Sequence, residues 1–196
     1  MKIIKAIGFD LGGVIFPDLH VPVGDPVARR LKIAPRQAEA IFDQVWDRLA
    51  RGQTTEEELW QKLLAIAKQK ISLVALKAFY RSFLVPDQAV VALIERLALR
   101  YPLFVVSNNS RAWLDYELDE HRLRQYFSAG IFNSAVIGAK KPEPEFFEFL
   151  VKKLKYPAPD CLFIDDRSKN TAAAAKFGFQ VRLFTAPAAL DFPFAV

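Results

Sequence analysis

The chain has 196 residues, 52% of them hydrophobic and 17 of them phenylalanine; that is enough apolar material for a packed core and excludes a disordered chain. The formal charge of +5 is spread over mixed signs with no long Lys/Arg tract, so no nucleic-acid partner is needed to explain it. A single cysteine excludes an intrachain disulfide, no stretch approaches the ~18 uninterrupted apolar residues of a membrane span, and the first residues lack a signal core, so a cytoplasmic protein is expected.

Ile3 to Phe9 is short, apolar and β-branched, which predicts a buried strand ended by the turn at Gly12-Gly13. Asp25-Pro26 predicts a helix start, with Asp as N-cap and Pro at the first helical position. From Pro35, the residues Ala38, Ile41, Phe42, Val45, Trp46 and Leu49 fall on one helical face, and Gly52 ends that helix. Thr55 with Glu58 predicts a capping box, followed by an apolar face of Leu59, Trp60, Leu63, Leu64 and Ala67. Leu73, Leu76, Phe79, Tyr80 and Phe83 predict a third helix. Pro86-Asp87 starts a fourth, with Val91, Ile94, Leu97 and Ala98 inside.

The pattern then changes to alternating strand and helix. Strands are expected at 103–106, 130–132, 161–164 and 181–184, and helices at 111–125, 142–154 and 171–177. Such alternation implies an α/β fold, a Rossmann-like parallel sheet with helices on both faces. The helical block between the first two strands interrupts it. It is expected to be an inserted helical-bundle cap over 17–87, with the core formed by 1–16 and 88–196. Cys161 precedes an apolar run and is expected to be a buried thiol.

In an open parallel sheet, ligands bind at the carboxyl ends of the strands. Three predicted strand ends carry polar clusters: Asp10, then Ser107-Asn108-Asn109, then Asp165-Asp166, with Lys140-Lys141 in a loop between the last two. Taken singly, each is an ordinary cap, turn or solvated pair. Occurring together, each at the exit of an apolar strand, they have a shared chemical logic. Clustered carboxylates repel one another, and a divalent cation with oxygen ligands relieves the repulsion. A lysine, a serine hydroxyl and the amides of Leu11-Gly12-Gly13 would hold phosphate oxygens. One carboxylate is then free to attack phosphorus.

These segments resemble the haloacid dehalogenase superfamily. The matching motifs are Gly8-Phe9-Asp10-Leu11-Gly12-Gly13-Val14, Phe104-Val105-Val106-Ser107-Asn108, Gly138-Ala139-Lys140-Lys141-Pro142 and Phe163-Ile164-Asp165-Asp166-Arg167, with Asn170 and Gly178 at familiar offsets. The resemblance implies that Asp10 is the nucleophile and that Ser107 and Lys141 bind the transferring phosphoryl group with it. Leu11, Gly12 and Asn108 would add phosphate contacts. Asp10, the Gly12 carbonyl, Asp165 and Asp166 would hold Mg²⁺. It further implies a helical cap that chooses the leaving group, and the segment from Arg51 to Trp60 resembles the cap of bacterial sugar-phosphate phosphatases. The expected substrate is a small phosphorylated metabolite, and the protein a monomer or homodimer.

Gly12 departs from the pattern. Phosphatases of the superfamily usually carry a second Asp there, which protonates the leaving oxygen and activates water; such help is worth ~10²–10⁴-fold. A metal-independent 2-haloacid dehalogenase, and a non-catalytic protein that kept the fold, are therefore alternatives. Asp18 is expected to be a surface or hinge residue, His20 exposed at the cap hinge, and His121 on the surface. Arg111 is expected to reach an anion or pair with Asp115, and Trp46 and Trp60 to be packed in the cap.

Overall fold

A computed structural model describes residues 3–187. Residues 1, 2 and 188–196, which the expected core bounds include, lie outside the described residues. Five strands, β1 (Ala6–Phe9), β2 (Leu103–Ser107), β3 (Gly130–Asn133), β4 (Cys161–Asp165) and β5 (Gln180–Leu183), form one sheet in the order β3-β2-β1-β4-β5. All pairings are parallel, with Gly8 beside Phe104 and Phe163. The α/β expectation is thus met.

The alternation of side chains along the strands divides the interior. Ile7, Phe9, Leu103, Val105, Leu162 and Ile164 face one way and pack on α6 (Gln88–Ala98) and α7 (Arg111–Glu120). Ala6, Phe104, Val106, Cys161 and Phe163 face the other way and pack on α9 (Pro144–Lys153) and α10 (Ser168–Lys176). Strands covered on both faces read as short unbroken apolar runs, which is why they were visible in the sequence. Cys161 is buried, as expected.

Between β1 and α6 the chain forms a run of helices: α1 (His20–Pro22), a π-helical turn over Val23–Val27, α2 (Ala28–Leu31), α3 (Pro35–Ala50), α4 (Glu56–Ile66) and α5 (Leu73–Arg81). They enclose their own apolar cluster from Leu19 to Leu84, into which Trp113 of α7 inserts. The Glu56 carboxylate lies inside it. It accepts hydrogen bonds from Trp60 Nε1 (2.9 Å) and Trp113 Nε1 (2.5 Å) and pairs with Lys77 (2.6 Å) and Arg81 (3.2 Å). A buried carboxylate persists only when its oxygens are satisfied in this way, and here it ties α4 and α5 to α7. Among the described residues no helix is long and apolar enough to cross a membrane.

Several local expectations are corrected. Asp25-Pro26 does not start a helix. The helical run begins at His20, the wider π-helical turn carries Pro26 inside it, and Asp25 bonds Arg29 one turn on. Thr55 is the N-cap of α4 but its side chain makes no capping bond; Glu58 instead accepts from Thr54 and pairs with Arg48. The helix expected over 111–125 stops at Glu120. Arg122 takes a left-handed conformation (φ +55°), and a 3₁₀ turn follows at Arg124–Tyr126. The helix expected from Pro142 starts at Pro144, because Glu143 is extended and Pro144 takes the first helical position. A short helix α8 (Ser134–Ile137), capped by Asn133, was not foreseen.

Candidate active site

The sheet brings three strand exits together: β1 delivers Asp10, β2 Ser107, and β4 Asp165 followed by Asp166. One oxygen each from Asp10, Asp165 and Asp166 lie within 4.8 Å of one another. Lys141, the residue before a cis-proline in the loop between α8 and α9, reaches into the same place. Its Nζ donates to Val106 O (2.7 Å) and Asp165 Oδ2 (2.7 Å) and lies 2.9 Å from Asp10 Oδ2. The lysine is almost wholly buried, so these acceptors replace its water.

Each group is held from behind. Asn108 grips the Lys141 backbone at both ends of its amide: Oδ1 accepts from Lys141 N and Nδ2 donates to Lys141 O, both at 2.8 Å. Its side chain therefore positions the lysine, a use that the phosphate-binding expectation did not foresee. Asp165 accepts from Arg167 N (2.8 Å) and from Asn170 Nδ2 (2.9 and 3.0 Å). In the β1 loop, Leu11 N donates to Asp10 Oδ1 and Gly13 N to Phe16 O, each at 2.7 Å. Ser107 is buried at the end of β2.

The two loop glycines differ. Gly13 has φ +80°, and a Cβ there would come within 2.3 Å of Asp166 Oδ2, so this position requires glycine. Gly12 has ordinary backbone, and a Cβ there would meet nothing nearer than Pro17 O at 4.0 Å. A larger side chain would fit at Gly12.

The electrostatics follow from burial. Burial raises the Asp10 carboxyl to about 8, with Lys141 opposing and the charges of Asp165 and Asp166 adding to it. Burial also opposes ionisation of Asp165, yet Lys141, the Arg167 amide and Asn170 outweigh it and hold that group below the usual range. Asp166 is raised, by burial and by Asp165. Its Oδ1 is buried and has no hydrogen-bond partner. Three crowded carboxylates, one with an orphaned oxygen, form an all-oxygen donor set that fits a hard divalent cation.

A cavity of about 310 Å³ opens on this cluster; Asp10, Gly12, Asn108 and Lys141 line it from the sheet side. The helical block contributes Asp18, Leu19, His20 and Trp46, and the neighbouring loops contribute Lys140, Arg167 and Lys169. Here the sequence expectations need correction. Asp18 is not a bare surface acid: it accepts from His20 and pairs with Arg167. Trp46 is only partly buried and lines the cavity, whereas Trp60 is packed as expected. His121 is partly buried and bonds Leu84 O at 2.8 Å. Asp115 pairs with Arg124, not Arg111. His20, expected to be exposed, is partly buried against Phe42 and lines the cavity with Asp18 and Trp46.

A second buried carboxyl lies behind the cluster. Glu117 of α7 accepts from Asn109 Nδ2 at 2.8 Å, its Oε1 has no partner, and burial raises it to about 8.

With this geometry in hand, comparison with known proteins gives a consistent result. The profile of the haloacid dehalogenase-like hydrolase family matches residues 4–178. The sesquiterpene phosphatase astK of Aspergillus oryzae is 26% identical over 175 residues, covering 89% of this chain and 86% of that protein. The D-ribitol-5-phosphate phosphatase of Bacteroides thetaiotaomicron is 24% identical over 189 residues, covering 90% of each. Among solved structures, a HAD family enzyme from Bacteroides thetaiotaomicron in complex with magnesium and inorganic phosphate superposes with a TM-score of 0.71 at 20% identity, covering 93% of this chain and 95% of that one. At that identity the likeness concerns the fold.

Proposed function

The chain belongs to the haloacid dehalogenase-like hydrolase family, and from that premise we propose that it is a magnesium-dependent phosphomonoesterase acting on a small phosphorylated metabolite through an aspartyl-phosphate on Asp10. The observation that carries this reading is the position of Lys141 Nζ, 2.9 Å from Asp10 and 2.7 Å from Asp165, beside an acidic cluster with an unpaired oxygen on Asp166. The names of the relatives, both phosphatases, and the magnesium and phosphate bound in the structural neighbour support it.

In this reading Asp10, the Gly12 carbonyl, Asp165 and Asp166 would hold Mg²⁺, which would supply positive charge against the phosphoryl oxygens. Asp10 attacks phosphorus and displaces the alcohol. Lys141 and Ser107 bind the non-bridging oxygens, with the loop amide at Gly12 beside them and that at Leu11 holding Asp10 Oδ1, while Asn108 keeps Lys141 in register. Because Lys141 is buried, its charge acts in a low-dielectric setting where it counts for more than in water. We further read 1–16 and 88–196 as the catalytic core and 17–87 as a cap that presents His20 and Trp46 to the leaving group. The test is phosphate release from p-nitrophenyl phosphate and a panel of sugar and alkyl phosphates. Turnover that requires Mg²⁺ and stops with EDTA supports the reading, whereas halide release from 2-haloacids regardless of EDTA overturns it.

A further inference from the structure

If the chain is a phosphatase, Gly12 leaves it without the side chain that would protonate the departing oxygen, and the cavity must supply that proton from elsewhere. Lys140 is held by Asp47 at 2.6 Å, and Lys141 and Arg167 are cations whose pKa values stand above their ordinary ones. Asp18 is held well below the usual carboxylate range, by its hydrogen bond to His20 and, against some burial, by Arg167, so it stays ionised. Lys169 adds a further ammonium, and the one imidazole on the cavity wall is His20, a side chain able both to give and to take a proton.

The ring is held in one orientation. Asp18 Oδ1 accepts from the His20 backbone amide at 3.0 Å and lies 3.1 Å from Nδ1, while Asp18 Oδ2 pairs with Arg167. The ring packs at tilted angles against the stacked pair Phe42, at 4.2 Å between centroids, and Trp46, at 5.8 Å. Asp18 thus assigns the Nδ1 proton and leaves Nε2 as the exchanging nitrogen. Its near neighbour is Asp43 of α3, 3.4 Å away with a largely exposed side chain. Asp18, Asp43 and, behind Asp18, Arg167 are the charged groups around the imidazole.

We infer that His20, oriented by Asp18, is the acid and base that replaces the carboxylate missing at Gly12. As the bond from Asp10 to phosphorus forms and the ester P–O bond breaks, Nε2–H gives its proton to the leaving oxygen, producing the alcohol and a neutral imidazole. Nε2 then takes a proton from water as the water oxygen bonds phosphorus and the Asp10–phosphorus bond breaks. The products are inorganic phosphate, a free Asp10 carboxylate and a recharged imidazolium. Asp18 is a positioning residue in this scheme.

This inference rests on the phosphatase reading and is tested by leaving group. His20→Gln and Asp18→Asn are assayed with Mg²⁺ on p-nitrophenyl phosphate, whose phenolate departs without a proton, and on alkyl phosphates, whose alkoxide does not. The expected loss in kcat/KM, which reports the departure of the leaving group alone, is for His20→Gln about 10²-fold on alkyl phosphates and under about threefold on p-nitrophenyl phosphate, while kcat falls on both because the shared hydrolysis of the aspartyl-phosphate loses its base. The double variant Gly12→Asp/His20→Gln is expected to recover alkyl-phosphate turnover, which a misfolded loop would not do. Without metal, ¹⁵N resonances should show the His20 Nδ1–H tautomer in the wild type and its loss in Asp18→Asn. An equal loss in kcat/KM on both substrate types, or none on alkyl phosphates, overturns the role of His20 and leaves the phosphatase reading standing. A wild type that releases phosphate from no substrate overturns both.

Discussion

Lys141 Nζ lies 2.9 Å from Asp10 Oδ2, in a place where the lysine side chain is fully buried. The lysine is the cation that makes this acidic cluster tolerable before any metal binds. Removing one member of a buried charge pair costs about 3–5 kcal/mol in general. Lys141→Met is expected to cost about 3 kcal/mol in the metal-free protein, the low end of that range, because Asp10 can take up a proton instead. Mg²⁺ should return part of the loss by binding the folded state. Denaturant unfolding with and without Mg²⁺ checks both. The same variant should lower kcat by about 10²–10³-fold, the scale of removing one preorganised electrostatic donor.

Gly12 is open, with ordinary backbone and no atom within 4.0 Å of a would-be Cβ except Pro17 O at that limit. Gly12→Asp is therefore expected to fold with unchanged stability, within about 1 kcal/mol. It should raise kcat on alkyl phosphates by roughly tenfold or more, since it adds a second proton carrier. A fall in rate would mean that the loop is shaped for a bound group that the carboxylate displaces.

Glu117 gives a pH signature. Its folded carboxyl is raised to about 8 from an ordinary 4.5 by burial, offset by Asn109. The folded protein thus holds a proton that the unfolded chain releases. The stabilisation from that proton is complete below pH 4.5 and is lost as pH rises through about 8. Glu117→Gln keeps an acceptor for Asn109 and has nothing to ionise. The variant should gain on the wild type by on the order of 1 kcal/mol per pH unit from about pH 5 to 8, and no further above that. Denaturant midpoints at pH 5, 6.5, 8 and 9 measure it.

Much of this was legible in the chain. Phe9, Val106 and Ile164 end short apolar runs, and each is followed by a polar cluster; a sheet buried on both faces must read that way. That these strand exits bring polar groups together is therefore legible from their spacing. The cavity wall was not. Trp46 sits on the same helical stripe as Phe42 and Leu49, and periodicity cannot distinguish a side chain at the edge of a packed cluster from one inside it. Asp18 and His20 look like loop residues until Arg167, 149 positions away, is seen beside Asp18. The Asp25-Pro26 start failed because a π-helical turn can carry a proline that an α-helical interior rejects. Glu117 was invisible because a lone acid in a charged helix ordinarily faces water.

The central claim, that the Asp10 carboxylate attacks phosphorus, is tested most directly by trapping. The protein is mixed with acetyl phosphate and Mg²⁺, quenched in acid within a turnover, digested, and mapped by mass spectrometry. A phosphoryl group on the peptide bearing Asp10, absent with EDTA and absent in Asp10→Asn, is the expected result. A phosphoryl group on any other residue, or phosphate release that continues unchanged in Asp10→Asn, would contradict it.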